Sequence, residues 1–231
     1  MYTQDQLKAM VAEAAKDEIL QRMPAGGVLG VGTGSTANLF IDALAPHINH
    51  FKGAVSSSEA STTRLKAHGF TVFDSNEIDT LAFYVDGADE IDPRGHMLKG
   101  GGGALTREKI VAQIASEFIC ICDASKEVDV LGRFPLPVEV IPMASRQVGN
   151  FLTQLGAQVS LRQKKDGSGT FVTDNQGWIL DVAGLTITDP VALETQINLV
   201  PGVIANGLFA RRKADVLLVG GGSGVIRRSY K

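Results

Sequence analysis

The sequence predicts an α/β protein in two parts: a parallel sheet with helices on both faces, and a smaller α+β domain. Three observations predict it. Short, wholly apolar runs alternate with helical stripes over roughly the first 130 residues, as strands buried on both faces require. Four of those runs end in a polar residue, at Thr33, Ser56, Asp86 and Asp123. Beyond about Leu131 the texture changes to strands bracketed by Pro135, Pro137 and Pro142 and by turn residues.

The elements follow in order. Leu7, Met10, Val11, Ala14, Ala15 and Ile19 form one apolar stripe, so the first helix runs from about Gln4 to Gln21. Thr3 caps it, and Gln6 three residues on completes a capping box. Val28–Val31 is a strand, Gly32–Thr36 a polar turn, and Ala37–Leu44 a helix stopped near Pro46. Gly53–Val55 is the next strand, then a helix to Gly69. Thr71–Phe73 and Leu81–Val85 are strands, Arg107–Glu117 a helix, and Phe118–Cys122 a strand. In the second part, strand Val138–Ile141, helix Ser145–Leu155 and strand Gln158–Arg162 precede a hairpin. Its arms are Thr170–Thr173 and Trp178–Val182, around Asp174-Asn175-Gln176-Gly177. Helix Pro190–Asn198 and strand Val203–Leu208 close a split βαβ, ferredoxin-like order. Ala214–Val219 then rejoins the first sheet. The expected division is residues 1–130 with 208–231 as a Rossmann-like domain, and 131–207 as the small domain.

Composition narrows the function. The 231 residues carry 22 Lys+Arg against 25 Asp+Glu, a net charge of −3, without the basic excess of a nucleic-acid binder. Hydrophobic residues make up 44%, enough for a core. No apolar run reaches the ~18 residues of a membrane span, and no secretory signal opens the chain. Cys120 and Cys122 stand at i and i+2 of one strand, too far apart at Cβ to bridge, and read as buried thiols in a reducing compartment. The expected location is the cytoplasm.

Ligands of an open parallel sheet bind outside the carboxyl ends of its strands, so the polar strand ends should line a crevice. Four segments carry candidate chemistry. Gly30-Val31-Gly32-Thr33-Gly34-Ser35-Thr36 joins a strand to a helix, and its amides, hydroxyls and helix start suit a phosphate. The same segment fits G-x-G-x-x-A, a dinucleotide pattern. That pattern needs an acid at the second strand end, where Ser56-Ser57-Ser58 stands instead. A tight turn without a ligand is the plainer alternative. In Asp86-Gly87-Ala88-Asp89-Glu90-Ile91-Asp92, Asp86 directly ends an apolar strand, where a carboxylate is costly without a task. Asp86 and Asp89 are therefore read as functional, and Glu90 and Asp92 as solvent-facing charge. Lys99-Gly100-Gly101-Gly102-Gly103 places a cation and a row of amides before a helix, an oxyanion-stabilising arrangement. Glu108, in the first turn of that helix, either complements the helix dipole or reacts. Lys126, in Asp123-Ala124-Ser125-Lys126, is either an anion partner or merely exposed. The four scattered histidines supply no zinc set.

These segments together resemble ribose-5-phosphate isomerase A. The likeness runs through Ala54-Val55-Ser56-Ser57-Ser58, Tyr84-Val85-Asp86-Gly87-Ala88-Asp89-Glu90, Leu105-Thr106-Arg107-Glu108-Lys109 and Phe134-Pro135-Leu136-Pro137-Val138-Glu139-Val140-Ile141-Pro142 to Pro201-Gly202-Val203, nearly the whole chain. Two departures stand out. Gly103 replaces an expected Ala, an exchange a loop should tolerate, and Gly220-Gly221-Gly222-Ser223-Gly224 is unusual.

The resemblance implies interconversion of D-ribose 5-phosphate and D-ribulose 5-phosphate in the pentose phosphate pathway, by a homodimer without metal or cofactor. It implies Glu108 as proton acceptor. It implies substrate contacts at Thr33, Gly34, Ser35 and Thr36, at Asp86, Gly87, Ala88 and Asp89, at Lys99, Gly100, Gly101 and Gly102, at Lys126, and at Lys8. The small domain is expected to contribute to the dimer. Elementary chemistry agrees: moving a proton between adjacent carbons through an enediolate needs one base and donors for the oxygen charge. Asp86, Asp89 and Lys99 then join Glu108 as the catalytic set. Two rival readings remain, a sugar-phosphate sensor domain and a nicotinamide dehydrogenase. The first needs no base at Glu108, and the second rests on the glycine pattern alone.

Overall fold

The structure is a computed structural model that describes residues 2–230. Met1 and Lys231, inside the expected first domain, lie outside the described residues. In chain order the elements are α1 (Gln4–Arg22), β1 (Gly27–Val31), α2 (Ser35–Leu44), β2 (Phe51–Ser56), α3 (Glu59–Ala67), β3 (Leu81–Asp86), β4 (Glu90–Ile91), β5 (Met97–Leu98), α4 (Leu105–Gln113) and β6 (Ala115–Asp123). Then follow β7 (Leu136–Val140), α5 (Ser145–Gln154), β8 (Gln158–Leu161), β9 (Trp178–Ala183), α6 (Pro190–Asn198), β10 (Val203–Asn206), β11 (Leu208–Phe209), β12 (Val216–Gly221) and β13 (Gly224–Ser229).

The chain forms two compact units. The first is Met1–Ala88, Arg107–Glu127 and Arg212–Lys231; the second is Asp89–Thr106 and Val128–Arg211. The sequence division at 130 and 208 had left residues 89–106 with the large sheet. They sit in the second unit because β4 and β5 pair with β11 in a three-stranded sheet.

The first unit is a six-stranded sheet in the order β13-β12-β6-β3-β1-β2, flanked by helices. All its pairings are parallel except β12 with β13. α1 starts at the expected capping box: Gln6 N–H donates to Thr3 Oγ1 at 3.2 Å, and Thr3 N–H to Gln6 Oε1 at 2.8 Å. Its stripe of Val11, Ala15 and Ile19 packs with Phe40, Ile41 and Leu44 of α2 and with Val31, Val85, Ile119 and Leu218 of the strands. From β1 the chain moves to one side for β2 and to the other for β3. The sheet therefore switches direction between β1 and β3, where open α/β sheets place their ligands.

The second unit holds an antiparallel sheet in the order β10-β7-β9-β8, built from β7-α5-β8-β9-α6-β10, which is the expected split βαβ order. Val138, Val140, Val148, Leu152, Leu180 and Ile197 fill its core.

Several local expectations change. Thr71–Phe73 forms only one bridge, Val72 with Ala54, and no strand. The hairpin at 170–182 shrinks to the bridge Val172–Trp178, because β9 spends its edges on β7 and β8. α4 ends at Gln113 rather than Glu117, and β6 begins at Ala115. Arg212 holds that junction, donating to the carbonyls of Ala112 and Ala115 at 3.1 Å each. The C-terminal glycines form a hairpin turn, with Gly221 opposite Gly224.

Candidate active site

The first unit contributes the ends of β1 and β3. Gly32 follows β1, and a Cβ there would lie 1.9 Å from Asp86 Cγ. Only glycine lets the two strand ends approach this closely. Asp86 is fully buried. Its Oδ1 accepts from the Thr33 N–H at 3.0 Å and the Gly87 N–H at 2.7 Å, and its Oδ2 from the Tyr84 hydroxyl at 2.5 Å. Those donors offset the desolvation of a buried carboxylate. Burial, then the negative charges of Asp86 and Glu108, push the Tyr84 phenol well above its ordinary value. It therefore stays protonated, as a donor to Asp86. Glu108 lies in the first turn of α4 and is buried, 4% exposed.

Gly34, at φ +107°, turns the chain into α2. No side chain caps that helix, and its first turn carries no acid. The Thr33 hydroxyl is turned the other way, bonded to Ser57 and Ser58 at 2.9 Å each, while Ser61 holds the Gly32 carbonyl at 2.7 Å. The serines that ruled against a dinucleotide acid thus brace the loop.

Lys126 follows β6 in a single 3-10 turn and is half-buried. Burial works to raise the neighbouring Asp123 carboxyl, but hydrogen bonds from Ser125 and Gln4 and the Lys126 charge outweigh it and hold the group below its usual range. Lys8 is half-buried on α1, 3.9 Å from Asp5.

The second unit contributes a tight hairpin. Glu90 pairs with Leu98 and Ile91 with Met97. Just before this pairing the Asp89 N–H donates to the Leu98 carbonyl at 2.9 Å, and just after it the Lys99 N–H donates to the Gly207 carbonyl at 2.8 Å. The turn is closed by Asp92, whose Oδ1 accepts from the amides of Arg94 and His96 at 2.8 and 2.9 Å, with the His96 ring 2.9 Å from Oδ2. Glu90 accepts from the Gly132 and Phe134 amides at 2.8 and 2.6 Å. Both acids are buried, which corrects their reading as solvent-facing charge. Asp92 fastens the hairpin from within, and Glu90 ties it to the segment at 132–134.

Lys99 is buried, its ammonium 5.4 Å from the Phe209 ring centroid. In the glycine run, the Gly101 N–H is taken by Asp89 Oδ2 at 2.8 Å and that of Gly103 by the Gly100 carbonyl at 2.9 Å. Gly103 has φ +85°, and a Cβ there would lie 2.6 Å from the Phe171 ring. An alanine would be strained here, so the glycine that stands in place of the expected alanine fits the loop. Sequence reasoning also missed Tyr84 and Phe171, whose apolar surroundings read as core. Among the described residues no group of three or more His, Cys, Asp or Glu could hold a metal.

Each unit carries residue types that small-molecule α/β enzymes use: in the first, the buried acids Asp86 and Glu108, and in the second, the buried cation Lys99 ahead of a glycine run. The comparisons give the family. Residues 53–224 match the family described as Ribose 5-phosphate isomerase A (phosphoriboisomerase A), and the chain belongs to it. It is 61% identical to a ribose-5-phosphate isomerase A of Polynucleobacter asymbioticus, over 97% of this chain and 98% of that one. Its fold is similar to the crystal structure of ribose 5 phosphate isomerase A from Neisseria gonorrhoeae, with TM-score 0.92 and 42% identity, covering 100% and 99% of the two chains. A D-ribose-5-phosphate isomerase in complex with phospho-erythronic acid is similar at TM-score 0.92 and 34% identity, covering 99% and 100%.

Proposed function

We propose that this chain interconverts D-ribose 5-phosphate and D-ribulose 5-phosphate in the pentose phosphate pathway. The observation that carries the reading is Glu108, a buried acid in the first turn of α4. A sensor would need no such base. Glu108 takes the proton from C2 of the open-chain aldose and returns it to C1 of the enediolate, while a proton moves from O2 to O1. Lys99 and the Gly102 amide hold the charge that develops on the oxygens. Asp86 and Asp89 open the sugar ring and move protons between oxygens. Ser35 and Thr36 at the start of α2, with Lys8 and Lys126, take the phosphate.

The relative that binds phospho-erythronic acid supports this reading, since that ligand joins a phosphate to an acid group whose charge is shared by two oxygens, as in an enediolate. The reaction as drawn uses no metal or cofactor. The reading extends to a homodimer in the cytoplasm, with the second unit contributing to the dimer. No helix among the described residues is long and apolar enough to cross a membrane.

The test is direct. The purified chain, treated exhaustively with EDTA, is mixed with ribose 5-phosphate in D₂O. Ribulose 5-phosphate should form, with deuterium washed into the carbon-bound position. No conversion before EDTA sinks the reading; loss after EDTA that Mg²⁺ or Mn²⁺ restores turns the carboxylates into metal ligands.

A further inference from the structure

A run of glycines is the least ordered way to present backbone donors, because glycine has the most conformational freedom to lose. This run has an external brace. Arg162 stands just past β8 with its side chain 14% exposed. Its Nε and Nη2 grip Asp181 Oδ2 and Oδ1 at 2.9 and 2.5 Å. Its Nη1 donates to two carbonyls of the run, Gly100 at 2.9 Å and Gly101 at 3.2 Å. The Phe171 ring that abuts Gly103 lies 5.9 Å from the same guanidinium. No described peptide bond is cis, and in a trans peptide the C=O and N–H point to opposite sides. Holding the Gly100 and Gly101 carbonyls on Arg162 therefore turns the N–H groups of Gly101 and Gly102 away from it. The first of these meets Asp89.

We propose that Arg162, itself held by Asp181, is a positioning residue for the isomerase reaction: it locks two successive peptide planes so that Gly101 N–H anchors Asp89 and Gly102 N–H is preset as an oxyanion donor. The inference rests on the isomerase reading above. Only a guanidinium suits the task, since its planar fork serves a carboxylate on one side and carbonyls on another. An ammonium is a point charge and cannot fix both.

The test compares Arg162→Lys and Arg162→Ala with the unaltered chain. Arg162→Lys should lower kcat by about 10- to 100-fold, the scale of a displaced oxyanion donor, with KM for ribose 5-phosphate within about threefold. Affinity for phospho-erythronic acid should fall with kcat rather than follow KM. In Arg162→Ala, ethylguanidinium should return part of the lost kcat and ethylammonium should not. Amide exchange at Gly101 and Gly102, measured without substrate, should accelerate in both variants. Inactivity of the unaltered chain sinks the isomerase reading, and the exchange measurement still tests the brace. An unchanged kcat in Arg162→Lys, whatever its melting temperature, or unchanged exchange, overturns the role of Arg162.

Discussion

The carboxyl edge of the large sheet and the β4–β5 hairpin present acids in opposite ways. At the sheet edge, Gly32 and Asp86 are more than fifty positions apart and meet because β1 and β3 lie side by side and parallel. In the hairpin, Glu90 and Leu98 are eight apart and face one another through antiparallel register, with Asp89 and Lys99 flanking that pair in sequence. A strand end announces itself in sequence, since an apolar run stops at a charge. A two-residue strand does not, and its acids look like a loop. The carboxylates sort as well: Glu90 and Asp92 are buried holding backbone amides, whereas Glu108 is buried as the proposed base.

That sorting can be broken by experiment. The largest effect is expected at Glu108. Glu108→Gln keeps shape but cannot take a proton, so kcat should fall about 10²- to 10⁴-fold with KM and melting temperature little changed. Deuterium wash-in at the wild-type rate would move the base to Asp86 or Asp89.

Glu90→Gln should do the reverse. One of its two amide partners loses its acceptor, at about 2–3 kcal/mol of stability read by urea unfolding. Its kcat well below the melting temperature should remain. A large kcat loss with full stability would place Glu90 in the chemistry.

Gly103→Ala combines a left-handed backbone with a Phe171 ring in the way, and should cost about 1–2 kcal/mol in the same assay. Adding Phe171→Leu should return part of the loss; if it does not, the backbone strain acts alone.

Tyr84→Phe removes one donor from Asp86, at about 1 kcal/mol. It also sharpens the comparison through pH. The folded phenol titrates above its unfolded value, so its contribution is fully present below about pH 10 and drains away as pH climbs through the folded value. Unfolding of the parent chain should therefore show a stability decline above pH 10 that Tyr84→Phe flattens.

Much of this was legible. The capping box, the parallel strands, the return of β12 to the first sheet and the split βαβ order all follow from period and punctuation. So do Asp86 and the helix-start loop, because a charge against an apolar run is a visible anomaly. What stayed hidden depends on partners far along the chain. Glu90 is buried by amides at 132 and 134, and Tyr84 is a polar group inside an apolar string. The freedom of Gly103 is removed by a ring 68 positions later. Composition carries no trace of such pairings.

The place of β12 has a consequence for synthesis. It pairs with β6 from Val216–Ile119 to Gly220–Asp123, about a hundred residues back along the chain. Until a ribosome has passed Gly221, the long apolar β6 has one side open, with unpaired backbone groups that invite another chain. Vectorial folding of the large sheet must wait for almost the last strand made, and a release truncated near residue 211 would be expected to aggregate rather than accumulate as a soluble fragment.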